Sequence, residues 1–209
     1  MTEVVAEISG NHNGSLANAF QLIGAAKAAG ADAVKFQTFM PERLAARRAQ
    51  SPEVLALAGG VPLLDLYQKT WTPWTWFPHL IEQCKNVDIA WFSSVFDPLD
   101  VAFLETMGCP RYKISAFESL DWDIIKAVRE TGKPIVMSVR SRPGLTVLLA
   151  SGYDGVTAPL GLSAHGDIMP STMCPMAEYH LKLPGMETPD SAFSLTPEQL
   201  RRAVDRIRS

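Results

Sequence analysis

Cysteine is scarce in this sequence of 209 residues, and the three that occur, Cys84, Cys109 and Cys174, show no C-x-x-C spacing. An odd and scattered set of cysteines argues against a disulfide scaffold and against a cysteine-rich zinc site, and it predicts a reducing, cytoplasmic location. Long apolar runs are also missing, since none reaches the roughly 18 residues of a membrane-spanning helix. The first residues, MTEVVAEISGNHNG, show no secretory signal pattern, so we expect a protein that is neither secreted nor bound to a membrane.

Neither sign of charge dominates, because 19 Lys and Arg residues oppose 22 Asp and Glu residues and leave a net charge of −3. No basic stripe stands out, and we therefore expect no nucleic-acid partner. A chain of 209 residues with 47% apolar residues suits one globular domain, which we assign to residues 1–209.

Short apolar runs alternate with helical patterns in the first part of the chain. The predicted strands are Val4–Ile8, Ala33–Gln37, Ile89–Ser93, Arg111–Ile114 and Pro134–Ser138. The predicted helices are Leu16–Ala29, Phe77–Lys85, Pro98–Met107 and Asp121–Thr131. Strands that alternate with helices pair in parallel, which indicates an α/β fold, as a (β/α) barrel or an open doubly wound sheet.

The second part of the chain has strand patterns without helices between them. Further strands are predicted at Leu145–Ala150, Leu160–Ser163 and Ala177–Leu183, followed by a helix at Thr196–Arg208. Six residues separate the fifth and sixth strands and nine separate the sixth and seventh, whereas a parallel crossover that contains a helix takes at least about 10–12 residues. We therefore predict a (β/α)8 TIM-type barrel that is trimmed, with no helix after strands 5 and 6.

One connection is unusually long, with 37 residues from Thr38 to Trp74. In a barrel of this type the loops after the strands lie on the catalytic face. The long connection is therefore a candidate lid, although a surface excursion without function explains it equally well. The aromatic residues near its end, Trp71, Trp74, Trp76 and Phe77, fit a stacking site or, more simply, packing at the start of a helix.

Polar side chains occur at the carboxyl ends of the predicted strands, which converge on one mouth of a parallel barrel. They are Glu7, Asn11, His12, Asn13, Lys35, Gln37, Ser93, Ser94, Lys113, Ser115, Glu118, Ser138, Tyr153, Ser163, His165, Glu178 and His180. Lys35 and Lys113 stand between apolar neighbours on their strands, where a buried charge is costly without a counter-charge. Either lysine alone could extend to solvent, but matched positions beside hydroxyl groups favour a site for phosphate or carboxylate.

Two of the four histidines, His165 and His180, follow adjacent predicted strands and could bind one divalent metal ion. Two histidines with no carboxylate between them are a weak metal signal, and the open positions of such a site would suit a substrate oxygen and water. His12 lies in a glycine-bounded loop. It could be a metal ligand, or it could organise the loop through hydrogen bonds. His79 falls in a helical pattern, where we expect it to pack or to lie at the surface.

Ordered blocks of the sequence resemble the sialic acid synthase family, whose members make nonulosonic acids from phosphoenolpyruvate. The first block is AEISGNHNGSLANAFQLIGAAKAAGADAVKFQTF, and LYQKTWTPWTWF, YKISAFES, KPIVMS, PLGLSAHG, AEYHLKL and PDSAFSLTPEQL follow in order. The details SGNHN, TPWTW and SAFSL are most similar to the pseudaminic acid synthase branch. The resemblance covers nearly the whole chain. It implies a carbon–carbon bond-forming transferase that joins phosphoenolpyruvate to an acetamido-hexose and releases phosphate.

The resemblance also implies roles for particular residues. Its phosphoenolpyruvate site falls on Lys35, Ser94, Lys113, Ser138 and Ser163, with the neighbouring Ser115 also expected to bind substrate. Its sugar-binding positions are Glu7, Tyr153, Glu178 and Asp190. Its metal ligands are His165 and His180, which would hold Mn²⁺ or Mg²⁺. Glu118 matches the acidic residue near the reacting carbons, and Glu118 or Glu7 is our candidate for moving the proton of the attacking water.

Several positions depart from the family pattern. Ala164 replaces the aspartate of the family's GLSDH motif, the phosphate-binding hydroxyl is shifted to Ser115, and residues 139–141 read Val-Arg-Ser where Thr-Gly-Met is usual. We also expect a shortened member, since blocks of the family's C-terminal antifreeze-like domain do not follow. These departures support an alternative, a catalytically impaired barrel that binds an anion or sugar or supports a partner protein.

Missing helices also bear on assembly. Parallel strands are normally covered by helices on their outer face, so Val136, Leu145, Val147 or Leu149 would face water, depending on register. A second copy could cover this flank, and we predict a homodimer with two-fold symmetry. The alternative is that residues 140–143 and 154–159 fold back over the strands as loops.

Overall fold

Eight strands form one closed barrel, in which each strand pairs with its neighbours in chain order and β8 pairs with β1. The computed structural model describes residues 1–142, 145–151, 157–164 and 174–209. The strands are β1 (Glu3–Glu7), β2 (Ala33–Thr38), β3 (Ala90–Val95), β4 (Tyr112–Ile114), β5 (Ile135–Arg142), β6 (Leu145–Ser151), β7 (Thr157–Ala164) and β8 (Met176–His180).

The helices are α1 (Leu16–Ala28), α2 (Pro41–Arg48), α3 (Pro52–Leu57), α4 (Leu63–Thr70), α5 (Phe77–Asn86), α6 (Pro98–Thr106), α7 (Trp122–Glu130) and, near the carboxyl end, α8 (Pro197–Arg208). Of these, α1, α5, α6, α7 and α8 pack against the barrel core, whereas α2, α3 and α4 belong to the connection after β2. Short 3-10 turns form at Ser9–His12, Trp74–Trp76 and Ser191–Phe193. Within the described residues, no helix has the length and the hydropathy needed to span a membrane.

The trimmed barrel predicted from the sequence is confirmed, because no helix lies between β5 and β7 in the described part of the chain. The expectation of parallel pairing throughout is wrong for one strand. β6 is antiparallel to both β5 and β7, whereas all the other neighbouring pairs are parallel. β5 continues to Arg142, beyond its predicted end, so that only residues 143–144 separate it from β6. A connection of two residues can join antiparallel strands but not parallel ones.

This reversal changes what lies at each end of the barrel. Ser151, the last residue of β6, pairs with Ile135 and Thr157, which are the first residues of β5 and β7. The end of β6 therefore lies at the amino ends of the parallel strands, opposite the predicted mouth. Val136, one of the residues that we expected to face water on this flank, is buried; the side chains of the other candidates lie outside the described set.

Local sequence signals explain where α1 begins and ends. The Ser15 hydroxyl accepts a hydrogen bond from the Asn18 amide, which is the expected N-cap interaction. Gly30 follows the helix with a φ of 89°, a conformation that glycine adopts at little cost. Apolar residues at helical spacing, among them Leu22 and Ile23, are buried against the strands. The apolar face of this helix is thus the face that the barrel covers.

The long connection after β2 folds into α2, α3 and α4, which we call the β2–α5 segment (residues 39–73). It has an apolar cluster of its own, separate from the barrel core. The members of this cluster are Phe39, Leu44, Val54, Ala58, Leu63, Tyr67 and Phe96. Phe96 follows β3 immediately, so the cluster attaches the segment to the carboxyl ends of the strands. The segment therefore lies on the face where a lid was expected.

Gly10 packs closely against Thr70 of α4, so a substitution at Gly10 tests how tightly the β2–α5 segment packs on the barrel. A Cβ atom on Gly10 would lie 2.6 Å from Thr70 Cβ and 2.9 Å from Thr70 Cα, so α4 would have to move. We predict that Gly10→Ala destabilises the protein by about 1–3 kcal/mol, as overpacking typically does. Gly24→Ala is the matched control, because a Cβ there meets nothing within 4 Å and alanine favours the helix. Urea unfolding of both variants checks the prediction, and equal midpoints for the two would contradict it.

Candidate active site

Strand register brings the predicted polar residues into one layer at the mouth. Glu7 pairs with Lys35 on one side and with His180 on the other. Ser94 pairs with Lys113, and Ser163 pairs with Glu178. Residues at matched register positions of neighbouring strands point to the same side of a sheet. The layer was expected from the strand ends, and the register shows which of its members are neighbours.

Lys35 is the centre of this layer. Its ammonium lies 2.5 Å from Glu7 Oε2 and 3.0 Å from Glu178 Oε2. Lys113 Nζ lies 3.5 Å from the other oxygen of Glu178, to which the Ser163 hydroxyl donates a hydrogen bond of 2.8 Å. Both lysine side chains are at most 5% exposed, so neither extends to solvent. The interpretation of these lysines as surface residues is therefore wrong.

Burial controls the electrostatics of the layer. It lowers the pKa of Lys35 to about 7, with the nearby Lys113 acting in the same direction and Glu178 opposing both. Burial alone would raise the pKa of Glu178, but Lys113, Lys35 and the Ser163 hydroxyl together hold it well below its usual range. The Glu178 carboxylate thus stays ionised, because the two lysines stabilise its negative charge.

The second oxygen of Glu7 is held by Ser9, which the sequence analysis did not single out. The Ser9 amide and hydroxyl donate to Glu7 Oε1 at 2.8 and 2.6 Å, and Gln37 Nε2 donates to the Ser9 hydroxyl at 2.9 Å. Ser9 has a φ of 43°, a left-handed conformation that costs a non-glycine residue about 1 kcal/mol or more. This conformation lets both of its donors reach one carboxylate oxygen.

Glu118 is held from two directions. Its Oε1 atom accepts hydrogen bonds from Arg48 Nε and Nη2, at 2.9 and 2.5 Å, and its Oε2 atom accepts one from the Ser115 hydroxyl. Glu118 is buried although it lies in a loop, since Arg48 of α2 covers it. Ser115, predicted to bind substrate, thus contacts Glu118 in this structure. Sequence reasoning missed Arg48, because its partner is distant along the chain.

The two other predicted serines of the anion site, Ser94 near the carboxyl end of β3 and Ser138 in the middle of β5, are both buried. Ser94 lies beside Lys113 in the register, and Ser138 follows Val136, which pairs with Lys113. The structure therefore places both hydroxyls in the neighbourhood of the lysines.

His180 is the one predicted metal ligand that the structure describes. Its Nδ1 atom lies 3.5 Å from Asp190 Oδ2, and its ring packs edge-on against Phe193 at 4.9 Å. His165 lies outside the described residues. Among the residues that are described, no three His, Cys, Asp or Glu side chains gather as a metal site would require.

Tyr153 also lies outside the described residues, so its role in binding the sugar, which the family resemblance implies, stays a prediction.

His12 organises the loop after β1. Its Nδ1 atom accepts a hydrogen bond from the Gly14 amide, so the proton is on Nε2, which lies 3.2 Å from the Thr72 hydroxyl. Burial lowers the pKa of His12 to about 4, which keeps the ring neutral. Because both nitrogens have partners within the protein, the hydrogen-bonding interpretation is the correct one and the metal-ligand interpretation is wrong.

The aromatic residues before α5 serve packing. Trp74 stacks on Phe103 of α6 with 4.2 Å between ring centroids, and the Trp76 ring meets His12 edge-on at 5.3 Å. Phe77 is fully buried in the barrel core. The structure therefore favours packing at the start of a helix over a stacking site for a ligand.

The buried ion pairs predict a large effect of one uncharged substitution. Glu178→Gln keeps the shape of the side chain but leaves two buried lysines with one carboxylate fewer, so we expect a loss of about 3 kcal/mol in the free energy of unfolding at pH 7. Glu198→Gln removes an exposed ion pair with Arg202 on α8 and should cost at most about 0.5 kcal/mol. Denaturant unfolding of both variants gives the comparison. Similar losses for the two would show that Glu178 does not neutralise the lysines.

Comparison with known proteins places this barrel in a family. A profile described as the NeuB family matches residues 22–141, which is more than half of the chain. Pseudaminic acid synthase from Helicobacter pylori is 38% identical over 138 residues, covering 65% of this chain and 41% of that protein. N,N'-diacetyllegionaminic acid synthase from Campylobacter jejuni is 31% identical over 139 residues, covering 66% of this chain and 42% of that protein. The match thus spans about two fifths of the length of these relatives.

Solved structures show the same fold. N-acetylneuraminic acid synthetase from Leptospira borgpetersenii, solved with citrate, has a TM-score of 0.79 at 20% identity, over 99% of this chain and 84% of that one. The spore coat polysaccharide biosynthesis protein SpsE from Bacillus subtilis has a TM-score of 0.70 at 23% identity, over 99% of this chain and 67% of that one.

The chain is therefore a TIM-type barrel, and it belongs to the NeuB family. The resemblance to the pseudaminic acid synthase branch, drawn from the motifs, is confirmed by the Helicobacter relative.

Proposed function

We propose that this chain is a condensing synthase that joins phosphoenolpyruvate to a 2-acetamido or 2,4-diacetamido hexose, giving a nonulosonic acid and phosphate. The observation that supports it is the buried layer in which Lys35 and Lys113 flank Glu178 at the barrel mouth. Two lysines at the centre of a water-poor mouth suit a substrate that carries both a phosphate and a carboxylate. Relatives named as pseudaminic and legionaminic acid synthases support the product class.

In the proposed reaction, carbon 3 of phosphoenolpyruvate bonds to the aldehyde carbon of the sugar, water adds to carbon 2, and phosphate leaves from carbon 2. One proton of the water goes to the aldehyde oxygen, which becomes a hydroxyl, and the other leaves with phosphate. The lysines would hold the anionic groups and stabilise the charge on the departing phosphate, with Ser94, Ser138 and Ser163 as hydroxyl donors. Glu118 or Glu7 would move the proton of the water.

A divalent metal, Mn²⁺ or Mg²⁺, is part of this proposal, with His180 and His165 as its ligands. The Asp190 carboxylate beside Nδ1 of His180 is the kind of outer partner that metal-binding histidines commonly have. When bound, the metal would polarise the aldehyde oxygen of the sugar. The remaining steps use the side chains of this chain alone.

Phosphate release tests the reaction. Purified protein with phosphoenolpyruvate, Mn²⁺ or Mg²⁺ and a panel of acetamido-hexoses should release phosphate only when a suitable sugar is present. Lys113→Met should lower the rate at least about 100-fold, because a fixed donor to the transferring group is lost. His180→Ala and excess chelator should each remove the metal-dependent rate. Folded protein that is silent across the whole panel would overturn the proposal.

The alternative, a catalytically impaired barrel that binds an anion, has one observation in its favour. Ala164 replaces an aspartate of the family motif within the strand next to β8. Calorimetric titration separates the two functions, since binding of phosphoenolpyruvate without turnover on any sugar would favour the alternative.

The titration of Lys35 predicts how anion binding depends on pH. The pKa of Lys35 is lowered to about 7 by burial, so its ammonium is charged below that pH and neutral above it. Sulfate keeps its own charge across this range and should bind about tenfold more tightly near pH 6 than near pH 8.5. Lys35→Met is the control, because the part of the pH dependence that belongs to Lys35 should vanish in it. An unchanged dependence in that variant would assign the titration to another group.

A homodimer and a cytoplasmic location complete the proposal. Both follow from the sequence, the dimer from the flank without helices and the location from the scarce, scattered cysteines.

A further inference from the structure

We propose that the β2–α5 segment is a lid that completes the candidate site, and that it supplies Arg48 as a positioning residue for the carboxylate of Glu118. The inference deepens the proposed function, since it rests on that function when it treats Glu118 as the group that moves a proton. Arg48 lies on the last turn of α2, and Glu118 follows β4.

The first support is the geometry of the carboxylate. Arg48 uses Nε and Nη2 to contact one oxygen of Glu118, while the Ser115 hydroxyl contacts the other. A carboxylate held at both oxygens, by a planar guanidinium on one side and a hydroxyl on the other, has a fixed direction. The loop after β4 provides only the Ser115 contact, so the orientation of Glu118 depends on the segment above it.

The second support is the environment of Arg48 itself. Its guanidinium carbon lies 5.0, 5.3 and 5.8 Å from the ring centroids of Phe117, Phe96 and Tyr67, and Nη1 donates to the Tyr67 hydroxyl at 3.3 Å. Burial alone would lower the pKa of Arg48, but Glu118 and Tyr67 raise it, so the side chain stays charged. A planar cation enclosed by three aromatic rings is held in one place, which a lysine cannot reproduce.

The third support is the way in which α2 is fastened over the mouth. Arg43 pairs with Asp97 at 2.8 Å, and Arg47 contacts both Asp97 and Asp121. These aspartates are the N-caps of α6 and α7, so α2 connects the loops that follow β3 and β4. Arg43 is 48% exposed and Arg48 only 14%, which distinguishes a surface fastening from a buried positioning contact.

Together these contacts make the position of Glu118 dependent on a closed lid. Ion pairs and a small apolar cluster hold the β2–α5 segment, whereas the strands of the barrel are held by continuous ladders of hydrogen bonds. The segment can therefore open without unfolding the barrel. Opening would remove Arg48 and free the Glu118 carboxylate from its fixed direction.

Hydrogen exchange tests the positioning without any assay of activity. In Arg48→Gln, the amides of residues 115–121 should exchange at least about fivefold faster than in the wild type, because Glu118 loses its anchor to α2. Arg202→Gln is the control, because it removes an exposed ion pair on α8 and no contact of the β2–α5 segment, and it should leave residues 115–121 unchanged. Arg48→Lys, which keeps the charge, should lie between the two. Unchanged exchange in Arg48→Gln, or an equal increase in Arg202→Gln, would overturn the proposal.

Kinetics then separate positioning from a general loss of structure. If the wild type turns over, Arg48→Gln should lower kcat at least tenfold while the KM for phosphoenolpyruvate changes less than about twofold, and Arg48→Lys should restore part of kcat. Parallel changes of kcat and KM would overturn the positioning role. If the wild type shows no turnover, the proposed function fails, and the exchange experiment alone decides whether Arg48 positions Glu118.

Discussion

The ammonium of Lys35, held between the carboxylates of Glu7 and Glu178, is the interaction on which the rest of the site depends. A lone charge in the mouth of a barrel would cost several kcal/mol of desolvation, and these charges are tolerated because the lysine and the carboxylates neutralise each other. They come from β1, β2 and β8, which meet only because the barrel is closed. The charged layer therefore forms only when the barrel is closed. The closed barrel in turn tolerates the buried charges only because they neutralise one another.

This balance also explains the less regular features around the mouth. The strained backbone of Ser9 allows two donors to reach the outer oxygen of Glu7, which leaves the inner oxygen for Lys35. Lys113 enters the layer from β4 through the far oxygen of Glu178, and Ser163 reaches the same oxygen from β7. Functional sites often retain local strain of this kind when the neighbouring contacts over-determine it.

Much of this arrangement could be predicted from the sequence. Alternating strand and helix patterns gave the elements of the barrel, and the polar residues that follow the strands identified most members of the layer. Matched lysines between apolar neighbours correctly indicated buried charges, because strand ends in a parallel sheet share one edge. These inferences rest on local periodicity, which a sequence displays directly.

Other features lie beyond local patterns. The Arg48–Glu118 contact joins residues 70 positions apart, and no periodicity connects a helix in a long loop with a loop after another strand. No sequence pattern reveals the positive φ of Ser9, since serine is common after strands. The direction of β6, in contrast, was predictable, because the short connection before it favours an antiparallel strand. A segment too short for a helical crossover can still join neighbouring strands if the second one reverses.

The reversal of β6 does not disturb the charged layer. The strands β8, β1, β2, β3, β4 and β5 form an unbroken parallel arc whose register is independent of β6. Ser163 joins it because β7 is parallel to β8, even though its other neighbour is reversed. Every strand that contributes a side chain to the charged layer therefore has a parallel neighbour that also contributes one, which is why a single antiparallel strand leaves the layer in place.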